Sequence, residues 1–363
     1  MTMPEGWRWS SLDEVVTLQR GFDLPHSHRV AGEVPVISAG MTEGSHNVAT
    51  VQGPGFAIGR ATNLGRPTWS DIDFWPLNTT LFARDFHGNE PKFLFHLFES
   101  LDLSGFDSGS VQPMLNRNYI GQIKVLVPPL REQRAIAEVL GTLDDKIAAN
   151  SKLITTTDEL ARAVYLANQA GVARLTSLAA FVNGRNFTKD ATGTGRVVIR
   201  IAELNSGIGN STVYNDIEVA DDNVARPGDI LFAWSGSLTV RRWTMPEAMV
   251  NQHIFKVIPT NDAPRWLVYQ ALVTKLAEFR SIAADKATTM GHIQRRHLEV
   301  DVPVPTPAQR AAIDGLMGGL WDRAIATDQE SQTLTELRDT LLPALMDGTI
   351  RVKDAVAQTE EVL

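Results

Sequence analysis

No feature limits the fold of this chain more than a repeat within it. The stretch "VPPLREQRAIAEVLGTLDDKIAANSKL" runs from Val127 to Leu153, and a worn copy, "VPTPAQRAAIDGLMGGLWDRAIATDQE", runs from Val304 to Glu330. Gln133 aligns with Gln309 at a spacing of 176 residues, and Leu143 with Leu320 and Asp145 with Asp322 at 177. Upstream, Pro54-Gly55 aligns with Pro227-Gly228, Asn78 with Asn251, Phe82 with Phe255, Pro91 with Pro264 and Leu94 with Leu267, all at 173. Nearer the start, "GEVPVISAGMTEG" from Gly32 lies over "GRVVIRIAELNSG" from Gly195, at 163. The spacing drifts by loop-sized steps while the order of features never breaks, which marks a tandem duplication. Each copy is a mixed α/β unit followed by one long helix.

Short apolar runs rich in β-branched residues predict strands at 34–37, 197–201 and, after an "RPGD" turn, Ile230–Ala233. Closing strands are expected at 123–127 and 298–302, ahead of the prolines. Helices are expected at 90–101 and 264–282, with Pro91 and Pro264 near the first turn, where proline is tolerated.

The long helices carry a heptad seam. Ile136, Leu140, Leu143, Ile147, Asn150, Ile154, Thr157, Ala161 and Val164 alternate four and three apart. The second copy gives Ile313, Met317, Leu320, Ala324, Thr327, Ser331, Leu334, Arg338 and Leu341. Such a pattern pairs helices as a coiled coil, and the polar Asn150 and Thr327 at equivalent positions set register. Pro128-Pro129 and Pro305/Pro307 stop each preceding strand and fix where each helix begins. A pseudo-two-fold axis makes the pair antiparallel, a rod of about 50 Å at 1.5 Å per residue with a globular unit at each end. The expected fold class is therefore α+β, with globular units at 1–127 and 169–303, long helices at 128–168 and 304–350, and a flexible tail at 351–363. Two non-identical units on a rod fit a reader of two DNA half-sites whose bipartite site is no palindrome.

Cysteine is absent, which excludes disulfides, thiolate zinc sites and thiol nucleophiles. No apolar run reaches 18 residues, and "MTMPEGWRWSSLDEV" lacks the basic-then-apolar order of a signal peptide, so a cytoplasmic protein is expected. The net charge of −8 argues against a freestanding nucleic-acid binder. Net charge describes the whole chain, however, and a bound partner can carry much of the phosphate contact.

Three stretches together resemble the specificity subunit of type I restriction-modification systems: "GWRWSSLDEV", "GSVQPMLNRNYIGQIKVLVPPLREQRAIAEVLGTLDDKIAAN" and "LRDTLLPALMDGTIRV". The resemblance spans nearly the whole chain. It implies two target recognition domains, each reading half of a bipartite site, with the paired helices as a ruler fixing the gap. It also implies that the helices dock methylation subunits, two in number, which bring S-adenosylmethionine and the adenine-methylating site. A separate motor-nuclease subunit would supply ATP- and Mg-dependent cutting, and this chain would hold no cofactor. The second copy departs from the pattern: Thr306 splits its prolines and Ala308 replaces the expected acid. That leaves details of docking open.

Base reading needs side chains matched to base edges, chiefly Arg or Lys for guanine and Asn or Gln for adenine. In the first copy "GRATNLGRPTW" offers Arg60, Thr62, Asn63 and Arg66, and "DSGSVQPMLNRN" offers Ser108, Ser110, Gln112, Asn116 and Arg117. In the second, "WSGSLTVRRW" offers Ser235, Ser237, Thr239, Arg241 and Arg242, and "ATTMGHIQRR" offers Thr288, Thr289, His292, Gln294, Arg295 and Arg296. Different polar residues at equivalent places suit two readers with different targets. A solvated loop, or a contact to phosphate alone, would look the same for any single residue.

Catalytic motifs are missing. An amino-methyltransferase would need an Asn/Asp-Pro-Pro-aromatic motif, to which "NEPKF" at 89–93 bears only a passing likeness. "GTGR" at 193–196 and "GIGN" at 207–210 read as turns, and no Gly-Lys-Ser/Thr phosphate loop exists. Asp85 with Glu90-Pro91-Lys92 weakly mimics a nuclease triplet, and His26 with His28 lacks a third metal ligand at suitable spacing. The nearest alternative is the specificity subunit of a fused restriction-methylation enzyme. An enzyme with an unrecognised site, and a scaffold that no longer reads DNA, also stay open.

Overall fold

A computed structural model describes residues 3–103, 105–106, 114–260, 262–284 and 291–362. The chain divides into two compact units, residues 1–147 with 333–363, and residues 148–332. Each unit thus takes half of each long helix.

In the first unit a ribbon pairs Arg8–Ser11 with Lys124–Val127 directly ahead of the first long helix, Leu130–Ala167. A four-stranded antiparallel sheet runs Thr17–Arg20, Thr80–Asp85, Gly55–Gly59, Pro67–Ser70, and a smaller one runs Met41–His46, Val34–Ser38, Trp75–Pro76. The helix Pro91–Ser100 buries Phe93, Leu94, Leu97 and Phe98 in one cluster with Phe56, Ile58 and Leu81 of the sheet and Ile136, Leu140 and Leu143 of the long helix. Proline opens that helix because the first amide has no intrahelical acceptor to lose.

The second unit repeats this order. Its ribbon pairs Gly171–Arg174 with Asp301–Val304, and its sheet runs Ala179–Asn183, Ile254–Pro259, Ile230–Ala233, Thr239–Arg242. The smaller sheet again pairs its first strand, Arg196–Ile199, antiparallel with Tyr214–Asn215 and parallel with Ala248–Val250. Two glycines mark the same crossing in both copies. A Cβ at Gly21 would lie 2.2 Å from the Leu77 carbonyl oxygen, and one at Gly184 would lie 2.1 Å from that of Asn251. Only glycine lets those backbones approach so closely.

Strand register corrects one expectation. Ile58 faces Leu81 and Ala57 faces Phe82, while Phe232 faces Phe255 and Leu231 faces Lys256. Ile58, Leu81, Phe232 and Phe255 all point to their unit's helix-side core, whereas Phe82 points to the opposite cluster of Ile37, Ala57 and Phe74. The structural counterpart of Phe255 is therefore Leu81, and that of Phe82 is Lys256. The spacing is 174 here, not 173, and likewise Asn251 answers to Leu77 rather than Asn78. One residue of slip exchanges the faces of a strand, which a match of residue types alone does not detect.

Along the seam of the long helices Ile136, Leu140, Leu143, Ala161, Met317, Leu334 and Leu341 are buried, and Ile147, Ile154, Ile313 and Leu320 are half-buried. In the first unit Leu334 and Leu341 of the second long helix, Pro307–Met346, join the cluster of Ile136, Leu140 and Leu143, with Ile147 packed at its edge. Within this unit the two segments run antiparallel, since Asp144 meets Arg338 at 2.7 Å while Glu132, nearer the start of the first helix, faces Arg351, just past the end of the second, at 3.7 Å. In the second unit Ala161 and Tyr165 share a cluster with Met317 and Trp321, with Ile313 and Leu320 packed against it. There Asn150 Nδ2 donates to Glu330 at 2.9 Å, and the Thr327 hydroxyl is buried without a hydrogen-bond partner among the described residues.

Other expectations shift. The second closing strand starts later than 298, because Arg295–Leu298 forms one helical turn. Ile201 opens a short helix, Ile201–Ser206, instead of ending a strand. The end of the chain, expected as a flexible tail, holds the helix Val352–Glu360, with Ala355 fully buried in the first unit's core. Its Val352, Ala355, Thr359 spacing gives one inward face.

Candidate nucleic-acid interface

Within each unit the two loops singled out from sequence meet. In the first, the loop 60–66 joins the strands Gly55–Gly59 and Pro67–Ser70. The amide of Arg60 donates to the Thr79 carbonyl at 2.9 Å, and the amide of Leu115 donates to the Arg60 carbonyl at 2.8 Å. The second unit makes the same pair of bonds. Trp234 donates to His253 at 3.0 Å, and Ile293 donates to Trp234 at 3.0 Å. Both platforms thus rest on the end of a central strand, which positions a side chain better than a free loop does.

The residues on the platforms differ. On the first, Thr62, Asn63 and Arg66 are exposed and Arg60 is half-buried. Asn63 sits in the left-handed region, at φ 47, and its Nδ2 donates to the Ala39 carbonyl at 3.0 Å. Asn116 caps the turn Arg117–Ile120 by accepting from the Asn118 amide at 3.0 Å, which leaves Arg117 exposed beside it. On the second platform Ser237 and Arg241 are exposed and Thr239 is half-buried. Ser235 is buried and bridges to His292, which is itself exposed. Gln294 and Arg296 are exposed, and Arg295 turns its Nη2 back to the Phe181 carbonyl at 2.7 Å.

Arg242 does not join them. Its guanidinium donates to Asp158 at 2.7 Å and lies 5.2 and 5.1 Å from the rings of Tyr269 and Trp321. Alternation along the strand sends Arg241 outward and Arg242 inward, to a side chain only 9% exposed. Ser108, Ser110, Gln112, Thr288 and Thr289 lie outside the described residues. Sequence reasoning missed Thr79, His253 and Trp234. The Trp234 ring lies 5.2 Å from that of His253, tilted 55° to it, and its indole N–H donates to Asn183 at 2.8 Å. It also missed Arg280, whose Nε and Nη2 hold the Leu238 carbonyl at 3.1 and 2.9 Å and so brace the second loop.

The weak catalytic likenesses do not assemble among the described residues. Lys92 lies 4.6 Å over the Trp69 ring and Glu90 faces Arg134, so the nuclease-like triplet is occupied otherwise. His26 pairs with Glu43 at 3.2 Å on the surface. Among the described residues, the one group able to hold a metal ion is His96, Glu99 and Asp144. There the Arg338 guanidinium already bridges both carboxylates. No described helix is long and apolar enough to cross a membrane.

Residues 4–156 match the family model of the type I restriction modification DNA specificity domain. The match makes this stretch of the chain similar to a type I restriction-modification specificity domain. The match covers its first copy, and the second is tied to the first by the internal repeat and the shared sheet order. Among solved structures, the type I restriction-modification system S subunit from M. genitalium aligns with a TM-score of 0.64 at 16% identity, over 95% of this chain and 98% of that one. The HsdS subunit from Thermoanaerobacter tengcongensis aligns over 96% and 99% at 16% identity, with a TM-score of 0.36. Only the first likeness is close enough to bear on the fold. No curated protein matches the chain.

Proposed function

We propose that this chain is a member of the type I restriction-modification specificity family and the non-catalytic DNA-recognition subunit of a type I restriction-modification complex. It reads a bipartite, asymmetric site in double-stranded DNA. One observation carries this reading. The two units hold their polar loops by the same two backbone hydrogen bonds yet present different side chains, Asn63, Arg66 and Arg117 against Ser237, Arg241 and Arg296. Equal platforms with unequal residues are what two half-sites of unequal sequence require. The recognition domains are residues 1–127 and 169–303. The helices at 128–168 and 304–350 set the gap and dock methylation subunits and, through the complex, motor-nuclease subunits. S-adenosylmethionine, ATP and Mg belong to those partners.

Detection of methylated adenine across the host genome, with and without the gene, tests the reading. A split motif with a fixed gap is expected to vanish on deletion. Exchanging residues 1–127 for those of another family member is expected to change one half-site only. A change in both halves would refute the two-reader scheme.

A further inference from the structure

Asn63 is held in a way that its turn does not explain. Its backbone is left-handed, and the chain folds back on itself there, with the Arg66 amide donating to the Asn63 carbonyl at 3.0 Å. Glycine would serve that backbone as well. The side chain does something more. The Ala39 carbonyl, at the two-residue tip between the strands Val34–Ser38 and Met41–His46, accepts from Nδ2 at 3.0 Å. A carbonyl only accepts, so this bond fixes which end of the carboxamide is nitrogen and which is oxygen. One Nδ2 hydrogen goes to Ala39. The other hydrogen and Oδ1 have no partner among the described residues, and Asn63 is exposed.

A donor and an acceptor side by side, with the amide plane pinned, match one base edge in the major groove. Adenine offers N7 to the donor and its N6 amine to the acceptor. Pinning removes the rotamer entropy that a free asparagine would lose on binding, which is how preorganisation strengthens recognition. The corresponding loop of the second unit, between the strands Ile230–Ala233 and Thr239–Arg242, has no asparagine. The geometry points to Asn63 as a specificity-determining residue that reads an adenine in the half-site of the first unit, an assignment that rests on the DNA-recognition reading above.

The test uses the chain in complex with its methylation subunits. The site is first taken from the adenine methylome of the host. Duplexes bearing it are then made with 7-deazaadenine at each adenine in turn, which keeps the N6 amine and loses the N7 acceptor. One position in the first unit's half-site is expected to weaken wild-type binding about tenfold. The Asn63→Gly complex is expected to be indifferent to that replacement and to accept any base pair at that position, with the second half-site unchanged as an internal control of folding. Asn63→Asp keeps the shape but cannot donate, so it is expected to lose adenine and favour cytosine, whose N4 amine a carboxylate accepts. An unchanged first half-site in Asn63→Gly overturns the assignment, and so does a wild-type complex insensitive to every 7-deazaadenine. No split motif at all in the wild type overturns the recognition reading itself.

Discussion

The two units differ most where three elements meet: the helix of the globular part, that unit's half of the first long helix and its half of the second. In the first unit this junction is ionic. Arg338 bridges Asp144 and Glu99, and Glu99 also accepts from the fully buried His96 at 2.8 Å. In the second unit the corresponding places hold Ala161, Trp321, Leu272 and Tyr269. The rings of Tyr269 and Trp321 lie 5.4 Å apart with the Arg242 guanidinium over both. Duplication has kept the meeting point and changed its chemistry. A carboxylate drawn partly out of water requires a partner, while an aromatic pair is held mainly by the area it buries, so a mixture of the two would leave charge uncompensated.

The largest expected effects test that difference. Arg338→Met leaves the half-buried Glu99 and Asp144 without their cation and is expected to destabilise the first unit by about 1–3 kcal/mol. Trp321→Ala removes the aromatic lid from the second unit at a loss of about 3–5 kcal/mol. Calorimetric unfolding of the two variants reads both, and an unchanged Arg338→Met profile would mean the ionic junction holds nothing together.

The register correction yields the next test. Phe82→Lys puts an unpaired charge among Ile37, Ala57 and Phe74 and is expected to cost about 3 kcal/mol or more. Its counterpart Lys256 is paired with Asp229 at 3.2 Å and donates to the Val224 carbonyl at 2.6 Å. Lys256→Met is expected to cost only about 1–3 kcal/mol, because Asp229 still accepts from the Arg226 amide. Equal losses in urea denaturation would break the 174-residue alignment of these strands.

Gly21→Ala and Gly184→Ala sharpen the likeness instead. Each adds a Cβ against backbone oxygens, so each unit is expected to lose about 1–3 kcal/mol, and by similar amounts. A large inequality would show that the crossings are not equivalent.

The smallest effect is a pH dependence at the first unit's ionic junction. Burial pushes the Glu99 carboxyl upward, but the His96 hydrogen bond and the Arg338 charge outweigh it and hold the group below its ordinary 4.5. A carboxyl whose value is depressed on folding lends stability above the unfolded value and withdraws it as pH falls through the folded one. The first unit's melting temperature is therefore expected to drop as pH falls below 4.5, with a flatter dependence in Arg338→Met.

Much of this was legible in the residues themselves. The repeat at 127–153 and 304–330 specified two copies, the heptad spacing specified two long helices, and Pro128-Pro129 and Pro307 specified where they begin. The loops around Arg60 and Ser237 were visible as polar, glycine-rich interruptions. These are local signals, set by periodicity and backbone sterics, and they do not depend on distant residues.

Position across the sheet was not legible in the same way. Phe82 and Phe255 look like partners because both are phenylalanine, yet hydrogen bonds to Ala57 and Phe232 place them on opposite faces. Arg241 and Arg242 are chemically alike, and only strand alternation sends one out and the other into the helix layer. Asn63 reads as a loop residue until the hairpin tip at Ala39, 24 residues away, takes one of its amide hydrogens. The sequence alone determined how many units there are and what joins them, because those follow from short-range pattern. Tertiary structure alone decided which polar side chains are held ready for a partner, because that depends on the long-range contacts that satisfy some of their hydrogen-bonding groups and leave others free.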